Sequence, residues 1–198
     1  MGIRAQYIEN REKTFFNYTV FNFDWEIMMI EVIQDNPFMV VSLLEIQKIL
    51  RITHEELNES LTLHIKQATR FVEQQIGLSF LIKTYSYKWR ATASPKQLYN
   101  TVTVPIGPIK EIVLIKSLLH NCRIRRFLVD TETQVFIPDN ISRIELHYKA
   151  GLAEMPQDIP EEYKHLVILV TQALFEGADL NTHSCMKVIE CYKKVSCA

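Results

Sequence analysis

The apolar residues of this 198-residue chain change their period twice, and that restricts the folds open to it. Leu57, Leu61, Ile65, Ala68, Val72 and Ile76 recur at spacings of three and four, the stripe of an amphipathic helix. Tyr85, Tyr87 and Trp89 then alternate with Thr84, Ser86 and Lys88, which predicts a strand with one aromatic face. Leu166, Val167, Val170, Ala173 and Leu174 return to helical spacing. A strand-period middle between helix-period flanks predicts an α+β fold: an N-terminal helix pair, an inserted small and mostly antiparallel sheet, and a C-terminal helix pair.

Local signals sharpen this outline. Ser42-Leu43-Leu44-Glu45 is a capping box, and Thr53-His54-Glu55-Glu56 reads as a second, so a short helix stops at Ile52 and a longer one restarts. The longer helix, of about six turns, ends where Gly77 can take the left-handed conformation. Ser94-Pro95 breaks the aromatic strand, and Pro105-Ile106-Gly107-Pro108 turns the chain between strands at Thr101–Val104 and Ile109–Lys116. Further strands are expected at Phe127–Val129, Gln134–Ile137 and around Ile144, Leu146 and Tyr148, the last ended by Lys149-Ala150-Gly151. Asp158 is placed to cap a helix opening near Pro160. Gly177 and Asn181 interrupt the helical region, and Val188, Ile189 and Tyr192 give a final short helix its apolar face. Residues 1–38 are aromatic-rich without a sustained period. They are either an N-terminal arm that docks on a neighbour or sequence upstream of a true start at Met29 or Met39, with 39–198 as the domain proper.

Composition sets outer bounds. Hydrophobic residues are 47% and charged residues 23% of the chain, which excludes global disorder. A chain of this length buries roughly two thirds of its unfolded surface, enough to fold without metal or disulfide staples. No apolar run nears the ~18 residues of a membrane helix, so no membrane partner is expected. In residues 1–38 asparagines break the apolar run and no small-residue cleavage site follows. Cys122, Cys185, Cys191 and Cys197 are therefore expected to be reduced cytosolic thiols.

No motif for catalysis, metal or cofactor emerges. His183, Cys185, Cys191 and Cys197 are all zinc-ligand types, but no Cys-x-x-Cys exists. Cys185 and Cys191 stand about 240° apart round a helix. There is no nucleophile elbow, no His-Glu-x-x-His and, with five glycines, no phosphate loop. Glu55-Glu56 and Glu161-Glu162 sit where a helix N-terminus favours negative charge, and His54, His64, His120, His147 and His165 are scattered singly. The expectation is a non-enzyme without cofactor.

Charge is the remaining signal. The net charge is −1, yet residues 79–130 hold nine basic and two acidic side chains, and 131–198 hold six and ten. Arg123, Arg125 and Arg126, beside Phe127, are the densest basic cluster. Three readings stay open for it: solvated surface, contact with DNA phosphates, or contact with an acidic protein face.

In order along the chain, these landmarks resemble the phage head–tail connector (head-completion adaptor) family of long-tailed phages, prophages and gene transfer agents. Val41–Ile52 is similar to that family's first short helix, and the stretch through Ile65, Ala68, Phe71, Val72, Glu73 and Gly77 to its long second helix. Thr103–Ile109 looks like its proline-rich strand-turn-strand, and Ile144–Gly151 its last strand with a Tyr-x-Ala-Gly exit. Asp158-Ile159-Pro160, Leu166–Phe175 and Val188–Lys193 resemble the helices that follow. The chain departs from the pattern in having Glu176-Gly177-Ala178 where the family often has an arginine, and in its 38-residue extension.

The resemblance implies a structural protein forming a ring of roughly twelve copies beneath a portal protein, with a tail-completion protein on its other side. Genomic DNA would pass through the channel. The place implied is the bacterial host cytoplasm during assembly, then the neck of the virion or phage-like particle. Arg123, Arg125 and Arg126 become candidate subunit or DNA contacts. The alternative is a nucleic-acid-binding regulator that uses the basic segment 79–130.

Overall fold

A computed structural model of the chain describes residues 18–21, 28–91, 99–180 and 184–196. It divides into two compact units, between which the chain passes repeatedly. One comprises residues up to Asp35 with Lys83–Pro105 and Ile109–Lys149; the other Asn36–Ile82, Ile106–Pro108 and Ala150 onward. The first holds the strands and the second the helices, so the expected α+β class is found.

In the helical unit, α1 (Leu43–Leu50) opens on Ser42, whose hydroxyl accepts from the Glu45 amide at 3.2 Å. Arg51, in the left-handed conformation at φ 55°, stops it. The second expected capping box does not form a cap. Glu55–Leu57 is a 3₁₀ turn with no side-chain cap on His54, and α2 (Asn58–Ile76) begins only after it. The 3₁₀ turn instead offers carbonyls to the amides where α2 begins: Leu57 donates to the His54 carbonyl at 3.4 Å and Asn58 to the Glu55 carbonyl.

The α2 stripe is as expected from Leu61 on, while Leu57, its expected first member, lies in the 3₁₀ turn. Leu61, Ile65, Ala68, Val72 and Ile76 are buried, and Gly77 closes the helix at φ 73°. They share one core with Leu166, Val167 and Val170 of α3 (Glu161–Phe175) and with Cys185 and Ile189 of α4 (Ser184–Ser196). Each large aliphatic buried there contributes about 1.5–3 kcal/mol. Two details of the sequence reading are corrected. Asp158 belongs to a separate 3₁₀ turn, Pro156–Asp158, and Pro160 occupies the cap position of α3 without a side-chain bond. On α4 the buried face is Cys185 and Ile189, whereas Val188 is exposed, one helical step round from Ile189. Asn181 lies outside the described residues.

Segment 78–82 follows α2 and is hydrogen-bonded on both sides. The Ser79 amide donates to the Gly107 carbonyl at 2.8 Å, and the Leu152 amide to the Ser79 carbonyl at 2.9 Å. Glu73 directs the exit. Its carbonyl accepts from Gly77 and Leu78, and its buried carboxylate accepts from the Phe80 amide at 2.8 Å.

The strand unit contains two sheets. The six-stranded one has the order β1 (Tyr18–Phe21), β2 (Met28–Gln34), β3 (Lys83–Arg90), β9 (Arg143–Ala150), β5 (Ile109–Ser117), β6 (Cys122–Arg123). The three-stranded one runs β4 (Tyr99–Thr103), β8 (Gln134–Pro138), β7 (Leu128–Val129), antiparallel throughout. Tyr85 and Tyr87 are buried on β3 as the alternation predicts, and Tyr85 stacks on Tyr148 of β9 with ring centroids 5.5 Å apart. Burial pushes the Tyr87 hydroxyl pKa up to about 12. Ile144, Leu146 and Tyr148 alternate inward on β9. Residues 28–34 show no sustained period, yet β2 pairs with β3, Ile30 opposite Tyr87. The expected break at Ser94-Pro95, and residues 1–17 and 22–27 of the extension, lie outside the described residues.

Candidate functional site

The basic cluster is carried by a hairpin and the connection that leaves it, with Arg123 on β6 and Arg125 and Arg126 before β7. β5 and β6 pair with Lys116 opposite Arg123 and Ser117 opposite Cys122. In the turn between them Asn121 adopts φ 49°, a left-handed position that asparagine tolerates better than most side chains. The buried Ser117 hydroxyl accepts from the His120 amide at 3.3 Å and braces that turn. Leu118 and Leu119 protrude from it, the latter 57% exposed.

Ile124 holds the cluster in place. It is buried, and its amide donates to the Ile115 carbonyl at 2.8 Å, so Arg123 and Arg125 on either side of it are exposed, as is Arg126. The Arg123 guanidinium makes one long contact, 3.5 Å to the Val113 carbonyl. Among the described residues, no carboxylate pairs with Arg125 or Arg126. Phe127, Leu128 and Val129 follow directly and are exposed, Leu128 at 62%. Arg125 and Arg126 thus lead into an apolar strip at the β7 edge of the three-stranded sheet, and Arg123 lies on β6 at the edge of the six-stranded one. Such a mixture suits a protein or nucleic-acid surface better than plain solvation, because exposed apolar side chains gain from being covered.

Sequence reading located the arginines but missed their apolar neighbours. Leu128 reads in sequence as an ordinary strand residue and Leu118 and Leu119 carry no signal there; the sheet edge exposes the first and the β5–β6 turn the other two. The histidines named in the sequence do not gather. His64 lies against Phe175, with ring centroids 6.4 Å apart, and His147 lies 3.3 Å from Glu145 on β9. Among the described residues no three of histidine, cysteine, aspartate or glutamate sit close enough to hold a metal ion. On α4, Cys185 is buried, which raises its thiol pKa, while Cys191 is exposed; His183 and Cys197 lie outside the described residues. No helix described is long and apolar enough to cross a membrane.

The sequence matches no protein-family model and no curated protein. The fold does have counterparts: it is the architecture of chains in solved structures of gene transfer agent particles. One is a chain of the neck of an empty particle, computed with C6 symmetry. It superposes with a TM-score of 0.64 at 14% identity, over 84% of this chain and 95% of that one. A chain of the virion of a native gene transfer agent particle gives 0.57 at 18% identity, with the same 84% and 95% coverage. A chain of the native neck, computed with C12 symmetry, gives 0.57 at 16% identity, again over 84% and 95%. At these identities the likeness is one of fold.

Proposed function

We propose that this protein is a structural adaptor of a phage or phage-like particle, assembling with copies of itself into a ring between a portal and tail-completion proteins. The observation that carries this reading is the likeness in fold to particle-neck chains along nearly their whole length. Residues 39–198 make up the connector-like body, and the 1–38 extension lends the sheet β1 and β2. The work is done by surfaces, with DNA passing through the channel and no reaction catalysed. Arg123, Arg125 and Arg126, with the apolar strip beside them, form one face of the contact between subunits, since a closed ring needs two different complementary faces on each copy.

Light scattering and electron microscopy of the purified protein test this directly. The wild type is expected to form rings, and the Arg123→Glu/Arg125→Glu/Arg126→Glu variant to remain monomeric with an unchanged circular dichroism spectrum. Rings that persist in the variant remove the arginines from the interface. A wild type that stays monomeric at all concentrations and retains DNA on filters, with retention falling steeply as salt rises, points instead to the regulator.

A further inference from the structure

Among the described residues the three-stranded sheet has two open edges, β7 and β4. Natural edge strands are blunted by lysine, proline, inward charge or shortness, and of these only shortness applies, to β7. Here β4 reads Tyr-Asn-Thr-Val-Thr and β7 Leu-Val, with no charge and no proline in either. Their exposed side chains also share a face. Leu128 and Thr101 both lie opposite Phe136, and Tyr99 lies opposite Pro138, two residues further along β8. Alternation along β8 puts these positions on one side of the sheet. Leu128 is 62% and Tyr99 59% exposed, so that side carries a large uncovered apolar group at each edge.

We infer that the ring closes by edge-to-edge pairing, β7 of one copy lying beside β4 of the next. This inference rests on the ring reading and specifies its seam. Both strands run antiparallel to β8 and therefore parallel to each other. Copies related by rotation about a ring axis keep their direction along that axis, so the seam is parallel. A parallel seam aligns the start of β7 with the start of β4. Arg125 and Arg126 precede β7, and Asp139 stands beside the start of β4, directly after the Pro138 that faces Tyr99. Asn100 holds that corner, its side-chain Nδ2 donating to the Asp139 and Ile141 carbonyls at 3.1 and 3.0 Å.

The seam thus sets two exposed arginines against an exposed aspartate, and Leu128 against Tyr99 or Thr101 of the neighbour. It is heterologous: the two edges differ, so each copy uses one on each side. With only two residues in β7, the main-chain pairing is short and the side chains supply most of the contact.

Paired cysteines test the seam, because adjacent strands bring Cα atoms within disulfide reach. Under mild oxidation, Thr101→Cys/Leu128→Cys or Tyr99→Cys/Leu128→Cys is expected to yield a ladder of covalent multimers. The single variants and the wild type, with their native thiols, are expected to yield none. Separately, Asp139→Arg is expected to abolish rings, and adding Arg125→Asp/Arg126→Asp to restore them. Wild-type rings with no ladder from either pair and no effect of Asp139→Arg overturn the seam and leave the ring standing. A wild type that never oligomerises overturns the ring, and the seam with it.

Discussion

Gly151 and Gly177 show how differently two glycines can be required. A Cβ on Gly151 would stand 2.6 Å from the Ile82 N and Cα and from the Leu81 carbonyl carbon, all backbone atoms that cannot swing aside. The close approach follows from segment 78–82 pairing with 151–153, where the Ile82 amide donates to the Ala153 carbonyl at 2.9 Å. Gly177 has φ 69° and nothing within 4 Å of the added carbon. Gly177→Ala therefore costs only the left-handed strain, about 1–2 kcal/mol. Gly151→Ala must also displace backbone and is expected to cost about 3 kcal/mol or more. Urea midpoints of the two variants check this, and equal losses would refute the steric account.

At the scale of elements, α4 shows which side of a helix the core accepts. Cys185 and Ile189, four residues apart, face inward, whereas Cys191 faces solvent. Burial keeps the Cys185 thiol protonated, with its pKa raised, and shields it from reagents. Native alkylation at neutral pH is therefore expected to label Cys122 and Cys191 well before Cys185, which reacts at their rate only once the protein unfolds. Mass spectrometry of timed digests gives the order. Labelling of Cys185 as fast as Cys191 would place α4 off the core.

For the whole molecule the ring reading carries a thermodynamic consequence. Association that involves only the folded chain stabilises it by mass action, so the melting temperature must rise with protein concentration. The wild type is expected to show that rise, and Arg123→Glu/Arg125→Glu/Arg126→Glu to melt at one temperature throughout. A concentration-independent wild type would contradict assembly through the folded state.

The α2 stripe, the alternation on β3 and β9 and the Gly77 stop were legible in the sequence because local backbone geometry fixes their period and conformation, whatever distant partner the buried face meets. A count of charges along the chain placed the three arginines in the basic middle. Periodicity did not show β2, whose residues pair because β3 offers them an edge, nor the place of Asp158, which a local 3₁₀ turn claims. Only the tertiary structure decided that Leu128 and Tyr99 stand at opposite open edges of one small sheet. Strand order is set by partners distant in sequence, and no local pattern records which edges remain uncovered.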